Sequence, residues 1–401
     1  MAFLYINSRG NPWRRHSYSA GNTFDQNPYK YFLQKVIGWR ERDNKARFQF
    51  GKALEESIEY YHNHNGKDAV ADFVRRWTEY KDVGLEYTKA EKNWENLLRA
   101  GTDMMRLYEI RQPYLPIPLG SRVSFQKQFS KEVFPGDENY GGIEDVSKID
   151  ILAFVDPHHP MLPKLDWKPE YGDLRPLIID IKTSALDFPE TQGMAAYDAQ
   201  LRRYSWNAGY RDVALLWFKK TGHNQQKGSS ITMLVDAGPF KAGQEAVIAL
   251  VEDDGVWVVH NDFMIEEMER AQGKKEDGKT DQTKAAKEKR LEWLRLYSVK
   301  VDAKSITRQR LQFNAGYVTK KSADDAGLQA GRQIVNIVNA WKRQEWPDTS
   351  GIRYPHDDRN DPYFRAFIMQ GKDAEAYRDL NFIKSDADEL DDLFDGGEEV
   401  E

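Results

Sequence analysis

Two short apolar runs in the middle of the chain each carry a single acid, and this pairing constrains the fold more than any other feature of the sequence. Ile149 to Val155 and Leu177 to Ile181 are rich in branched residues and read as strands. Asp150 sits in Lys148-Ile149-Asp150-Ile151-Leu152, and Asp180 in Leu177-Ile178-Ile179-Asp180-Ile181-Lys182-Thr183. An ionised side chain in such surroundings is costly unless it is paired or bound to a cation. Residues two apart on a strand share a face, so Asp180 and Lys182 project together. Alone, an Asp-x-Lys is an ordinary ion pair at a strand end. Beside a second embedded acid and a lysine, it suggests a place for a divalent ion.

The periodicity on either side divides the chain. Asn27 caps a helix expected over about 28–39, with Pro28 at the first helical position, where its missing N–H costs nothing. Phe50, Ala53, Leu54, Ser57, Ile58 and Tyr61 follow helical spacing, and further helices are expected over 68–80 and 89–108. The alternation from Val123 to Phe134 gives a third strand. A helix is expected over 193–209, ending at Gly209, with strands over 213–218 and 230–235. Val247 to Val251 and Val256 to Val259 flank Asp253-Asp254-Gly255, a hairpin signal. Past Asp262 the pattern returns to helix, clearest over 328–341, and an irregular Pro- and Asp-rich stretch covers 346–362. There is no internal repeat, so a solenoid is not expected. The fold class is α/β (α+β): a central mixed sheet flanked by helices, with N- and C-terminal helical elaborations. The expected division is 1–120 helical, 121–262 core sheet, 263–384 basic and helical, and 385–401 an acidic tail.

Composition narrows the chemistry. The 401 residues include no cysteine, which removes disulfides, thiolate zinc sites, iron–sulfur clusters and cysteine nucleophiles. Any metal must be held by carboxylate, imidazole or carbonyl oxygen. The formal charge of -6 hides an uneven distribution, because nine acids and no Lys or Arg follow Lys384. With those set aside, 55 acids face 58 bases, a body of +3 that is compatible with a polyanionic partner. The stretch from Gln272 to Arg290 is rich in lysine; it reads either as a solvated surface or as an attraction for a nucleic acid. No apolar run of membrane-spanning length and no signal-peptide block is present, so a cytoplasmic location is expected.

Two weaker signals lie outside the strands. Glu55 follows the core-facing Leu54 and borders the buried helical stripe, where it reads first as a helix-surface glutamate. Gln200 and Tyr204 stand at i and i+4 on one helical face, a spacing equally served by packing.

In order, Ser17-Tyr18-Ser19 with Phe24, Asn27 and Pro28, then Gly51 to Glu55, Lys148-Ile149-Asp150, Asp180-Ile181-Lys182-Thr183, and Gln200-Leu201 with Tyr204 resemble the PD-(D/E)xK nuclease superfamily in its RecB-like branch. These segments span residues 17 to 204. The resemblance implies that Glu55, Asp150 and Asp180 are metal ligands, with the backbone carbonyl of Ile181 as a further oxygen. Lys182 would orient or activate the attacking water and offset charge on the phosphate. Gln200 and Tyr204 would brace the site and touch the nucleic-acid strand. Three departures accompany it. Glu55 stands where the branch usually has His. Asn27 and Ala366 occupy the neighbourhood where iron–sulfur members place Cys, so no cluster is expected. A long insertion separates the two metal acids, and its His158 and His159 read as loop residues rather than ligands.

The implied activity is a deoxyribonuclease dependent on Mg²⁺ or Mn²⁺, since hard oxygen ligands favour these ions. An exonuclease of recombination, repair or phage DNA metabolism is expected, in a bacterial or phage-infected host cytosol. The alternatives are a structure-selective or restriction-type endonuclease and a catalytically silent DNA-binding module. DNA is the expected partner, with Arg202 and Arg203 as strand contacts and Trp206 and Tyr210 as stacking candidates whose ordinary reading is packing. Asp388 to Asp395 sets Leu390, Leu393 and Phe394 among acids, which suits either docking on a replication or recombination protein or a solubilising tail. No Gly-x-x-x-x-Gly-Lys-Ser/Thr loop occurs, so ATP-driven unwinding would need another chain.

Overall fold

The computed structural model describes residues 13–42, 45–89, 91–165, 172–186, 188, 191–220, 228–252, 255–260, 283–349, 361–369 and 371–384. The expectations for the hairpin tip at Asp253-Asp254, for the lysine-rich stretch up to residue 282 and for the acidic tail lie outside these residues.

The chain enters through β1 (Arg15–Ser17) and α1 (Tyr18–Gln26), whose first turn is capped by the Ser17 hydroxyl accepting from the Ala20 N–H at 3.3 Å. Asn27 caps α2 (Pro28–Tyr31) as expected, but the helix then widens into a π-helical turn, Phe32–Ile37, and stops at Gly38. Gly38 has φ 88°, a left-handed conformation that glycine adopts without steric cost. β2 (Trp39–Glu41) follows where the helix was expected to close, and pairs antiparallel with β13 (Phe382–Lys384) near the other end of the described chain.

Three helices form the next layer: α3 (Ala46–Asn63), α4 (Ala69–Glu79) and α5 (Trp94–Arg111). The stripe Phe50, Ala53, Leu54, Ser57, Ile58 and Tyr61 is buried along α3, as its spacing requires. These helices cover one face of the central sheet, where Ile151, Ala153, Leu177, Ile179, Ala214 and Leu216 meet Phe50, Phe73, Trp77 and Met104 in one core.

The central sheet has six strands. β4 (Glu144–Val155) pairs with β3 (Val123–Glu132), β1 and β5 (Arg175–Ser184), and the path continues through β6 (Asp212–Lys219) to β12 (Arg310–Tyr317). β1 with β4 and β5 with β6 are parallel, while β3 with β4, β4 with β5 and β12 with β6 are antiparallel, so the sheet is mixed. The opposite face packs on α6 (Ala199–Ala208), with Ile149, Leu152, Ile178, Val213 and Leu215 against Leu201 and Tyr204. The expected α/β sheet flanked by helices is the architecture found.

Two expectations about its extent are corrected. β7 (Ser230–Met233), β8 (Glu245–Glu252) and β9 (Gly255–His260) do not extend the central sheet. They form a separate five-stranded sheet with β10 (Val299–Val301) and β11 (Ile306–Thr307) around Ile231, Phe240, Ile248 and Val258. The region past Asp262 is also not purely helical. It supplies α7 (Lys284–Tyr297), then β10 to β12, before α8 (Lys320–Arg343) and α9 (Lys372–Asn381). A boundary at residue 262 therefore cuts through both sheets.

Candidate active site

The two acid-bearing strands part company where the acids stand. On one edge of β4, Glu144 to Val146 pair with β1 and Ile151 to Val155 pair with β5, leaving Ser147 to Asp150 at the split. β5 in turn pairs with β4 only up to Ile179, so Asp180, Ile181 and Lys182 are held on one side by β6 and open on the other. Asp150 closes part of that gap with its side chain: Oδ2 accepts from the Ile181 N–H at 2.8 Å, continuing the ladder where the backbones have separated.

β4 also turns over at this point. Residues two apart on a strand normally share a face, yet Ile149 packs into the core beneath α6 and Ile151 into the core beneath α3 to α5. Opposite the turn, Gln126 of β3 has φ 51°, a left-handed conformation unfavourable for a residue with a side chain. The irregularity lets helices on both faces reach one spot.

From one face comes Lys182, whose Nζ lies 2.6 Å from Asp180 Oδ2 and donates to Gln200 Oε1 at 3.1 Å. The Gln200 amide in turn donates to the Tyr204 hydroxyl. Asp198, which caps α6 by accepting from the Leu201 N–H at 2.9 Å, adds its charge to the same region. From the other face α3 presents Glu55. Burial first, then the field of Asp180, pushes the Glu55 carboxyl above the usual carboxylate range. Burial followed by Glu55 does the same to Asp150, and burial followed by Asp150 does so to Asp180. These three carboxylates feel one another, and Lys182 feels both aspartates. Burial alone would depress the Lys182 ammonium, but the neighbouring acids outweigh it and raise its pKa.

Asp180 is 1% exposed, and its Oδ2, despite the nearby ammonium, has no directional hydrogen bond. That is an unusual state for a buried carboxylate oxygen and a natural one for an atom that meets a cation. Hard oxygen donors suit Mg²⁺ or Mn²⁺. Among the described residues, however, no group of three or more His, Asp or Glu side chains is arranged to hold a metal ion. The expected cage of Glu55, Asp150 and Asp180 is therefore not preformed, and Glu55 stands in the field of the aspartates. Asp150 and Asp180 are the two aspartates here whose carboxyls are buried and raised.

A cavity of about 430 Å³ opens beside this cluster, lined by Ser17 and Tyr18 at the start of α1, by Gln128 and Lys148 of the sheet, and by Gln200 and Tyr204. Lys148, Asp198 and Gln126 are additions to the residues singled out from sequence. Only Lys148 carried a local signal, two residues before Asp150.

Arg203 is a correction. It is 1% exposed, forming a two-pronged ion pair with Asp145 of β4, with Nε 2.6 Å from Oδ2, and a further bond to Gln333 of α8 at 3.3 Å. It fastens α6 to the sheet and offers nothing to a phosphate. Arg202 points elsewhere, bonding the Ala196 carbonyl at 2.9 Å with its guanidinium 5.3 Å from the Tyr197 ring centroid. Tyr210 packs edge-on against Phe129 and Phe154, and Trp206 packs with the same core under Lys131. Ala366 is buried among Leu33, Tyr363 and Phe382, so packing holds this neighbourhood together. His158 and His159 lie in the turn after β4, as expected.

Among the described residues, no helix is long and apolar enough to cross a membrane. No curated protein is similar to this chain. Among solved structures, the crystal structure of SSO0001 is similar at 16% identity, with 43% of this chain and 70% of that chain covered and a TM-score of 0.18, a superposition too loose to carry an argument. The model of the PD-(D/E)XK nuclease superfamily matches residues 15–308, a span that contains Glu55, Asp150, Asp180, Lys182, Gln200 and Tyr204. The chain belongs to the PD-(D/E)XK nuclease superfamily.

Proposed function

We propose that this protein is a Mg²⁺- or Mn²⁺-dependent deoxyribonuclease of the RecB-like branch, acting as an exonuclease in recombination, repair or phage DNA metabolism. The observation that carries the reading is the buried Asp180 Oδ2, short of a directional hydrogen bond, between a second carboxylate and an ammonium. Asp150, Asp180 and the Ile181 carbonyl would hold the cation. When bound, it supplies charge on the non-bridging phosphate oxygen and a more acidic water, both of which an anionic phosphodiester requires.

The side chains divide the remaining work. Lys182 is held as an ammonium by its acidic neighbours, so it serves as a fixed positive charge and donor rather than as a general base. One N–H of the ammonium is directed at Gln200 while the group as a whole lies against Asp180, which leaves donor capacity for a phosphate oxygen or the attacking water. Gln200 orients that ammonium through its carbonyl. Tyr204 receives the Gln200 amide and keeps its own proton to donate toward the adjoining cavity. The exonuclease assignment follows the branch resemblance.

Incubating the purified protein with end-labelled linear DNA and closed circular DNA, with Mg²⁺ or with EDTA, tests the reading. Shortening of the linear substrate in Mg²⁺ alone, with the circle intact, is expected. Opening of the circle would replace the exonuclease by an endonuclease, and inertness toward both substrates would overturn the proposal.

A further inference from the structure

A second cavity, of about 400 Å³, begins one residue beyond Lys182. Thr183 and Ser184 of β5 form one wall, and the start of α5 forms another. Four cations line it, Arg47, Lys92, Arg99 and Lys220, against one carboxylate, Glu91. Lys220 Nζ is 3.5 Å from Glu91 Oε1 and 5.3 Å from the centroid of the Phe50 ring, so it forms a half-buried floor. Its ammonium is depressed by burial first, and Arg47 pushes it further in the same direction, against the pull of Glu91. Like charges thus crowd the cavity without enough acid to neutralise them. Arg47, Lys92 and Arg99 at the rim are exposed, and among the described residues none of them has an acidic partner within ion-pair distance.

A crowd of cations with one acid costs electrostatic energy in the empty state and is relieved by an anion. The position of this crowd identifies the anion. Lys182 faces α6 and the cavity lies on the α5 side, but Ser184 at the cavity wall is only two residues past Lys182, roughly 7 Å along an extended strand. A polymer crossing this end of β5 with its scissile phosphate at Lys182 would therefore bring a neighbouring phosphate toward Arg47 and Lys220. We infer that this cavity binds the backbone phosphates of a single nucleic-acid strand next to the bond to be cut, with Arg47, Lys92, Arg99 and Lys220 as the phosphate-binding side chains. The inference rests on the nuclease reading for the identity of the polymer, and on the cavity itself for the residues that hold it.

The test is equilibrium binding of a fluorescent single-stranded oligodeoxynucleotide to the full chain without divalent ions, over a range of salt concentrations. The comparison is with Lys92→Glu/Arg99→Glu and with the control Lys372→Glu, an exposed lysine on α9. Both reversed positions are at the surface, and a thermal melt checks that the variant is folded. The expected result is at least a tenfold weaker Kd for the double variant and a shallower salt dependence, by roughly 0.7 for each phosphate of a single strand that is no longer neutralised. Lys372→Glu should match the unaltered protein. Equal affinity and slope in the double variant, an equal weakening in the control, or no binding by the unaltered protein would each overturn the inference. Since binding is read without cleavage, a protein that binds through these cations but cuts nothing would fail the nuclease reading and keep this one. One that cuts DNA while Lys92→Glu/Arg99→Glu binds undiminished would do the reverse.

Discussion

Lys182 Nζ stands 2.6 Å from Oδ2 of Asp180, two residues earlier on the same strand, and the contact places a cation against a carboxylate that is almost wholly buried. The strand period puts both side chains on the face toward α6, where Gln200 accepts an N–H of the ammonium. Lys182→Ala should therefore remove a preorganised charge without disturbing the core, because the lysine is partly exposed. Cleavage in Mg²⁺ should fall by about 10²–10³-fold or more, with a melting temperature close to that of the unaltered protein. Undiminished single-turnover cleavage would refute the role.

The ion pair of Arg203 with Asp145 ties α6, and with it Gln200, to β4. Asn207 donates to the same carboxylate at 2.7 Å and to Ser147 at 2.6 Å, so Asp145 is the hub of a buried network. Removing one partner leaves the other charge buried without compensation. Asp145→Ala should destabilise the fold by about 3–5 kcal/mol, read from denaturant unfolding. The joint replacement Asp145→Leu/Arg203→Met should recover most of that stability. A single variant as stable as the unaltered protein would contradict the assignment.

Two glycines in helices should respond to the same substitution with opposite signs. A Cβ at Gly51 of α3 meets nothing within 4 Å, so Gly51→Ala should stabilise by about 0.5–1 kcal/mol through helix propensity. At Gly101 of α5 a Cβ would fall 2.0 Å from the Phe73 ring. Displacing a buried ring costs about 1–3 kcal/mol, more than propensity returns, so Gly101→Ala should destabilise. Unfolding midpoints of the two variants decide it.

His62 gives stability a pH dependence of known sign. Burial pushes its imidazole down to about 4. Nδ1 lies 3.0 Å from the Pro118 carbonyl and so carries the proton, while Nε2 accepts from the Tyr108 hydroxyl at 2.6 Å. The folded value lies below the unfolded value of about 6.5, so the unfolded chain binds the proton more readily. The contribution of His62 is intact above pH about 6.5 and is lost as pH falls toward 4. Gln can keep both hydrogen bonds without titrating. The stability difference between the unaltered protein and His62→Gln should be constant above that window and move against the unaltered protein within it. A pH-independent difference would contradict this reading.

Much of this was legible in the sequence, for physical reasons that also explain the failures. β4, β5 and β6 announce themselves because strands covered on both faces must be apolar throughout. β12 alternates Leu311, Phe313 and Ala315 with polar partners, a readable period overshadowed by the helical pattern that follows it. β1 is three residues long and polar, and becomes a strand only because β4 is there to receive it. Asp150, Asp180, Lys182, Gln200 and Tyr204 could be singled out because embedded charge and helical spacing are local signals. Arg203 could not be placed, since its burial depends on Asp145, 58 residues away in the chain. Whether three carboxylates are arranged to hold a metal ion is likewise a matter of three-dimensional spacing, which no sequence period encodes.

In the proposed mechanism Asp150 and Asp180 act as one cation site beside Lys182. Calorimetric titration of Mn²⁺ into the unaltered protein, Asp150→Asn and Asp180→Asn tests this most directly. Saturable binding to the unaltered protein, abolished in each variant while the thermal melt stays cooperative, is the predicted result; the same Mn²⁺ affinity in all three proteins would contradict it.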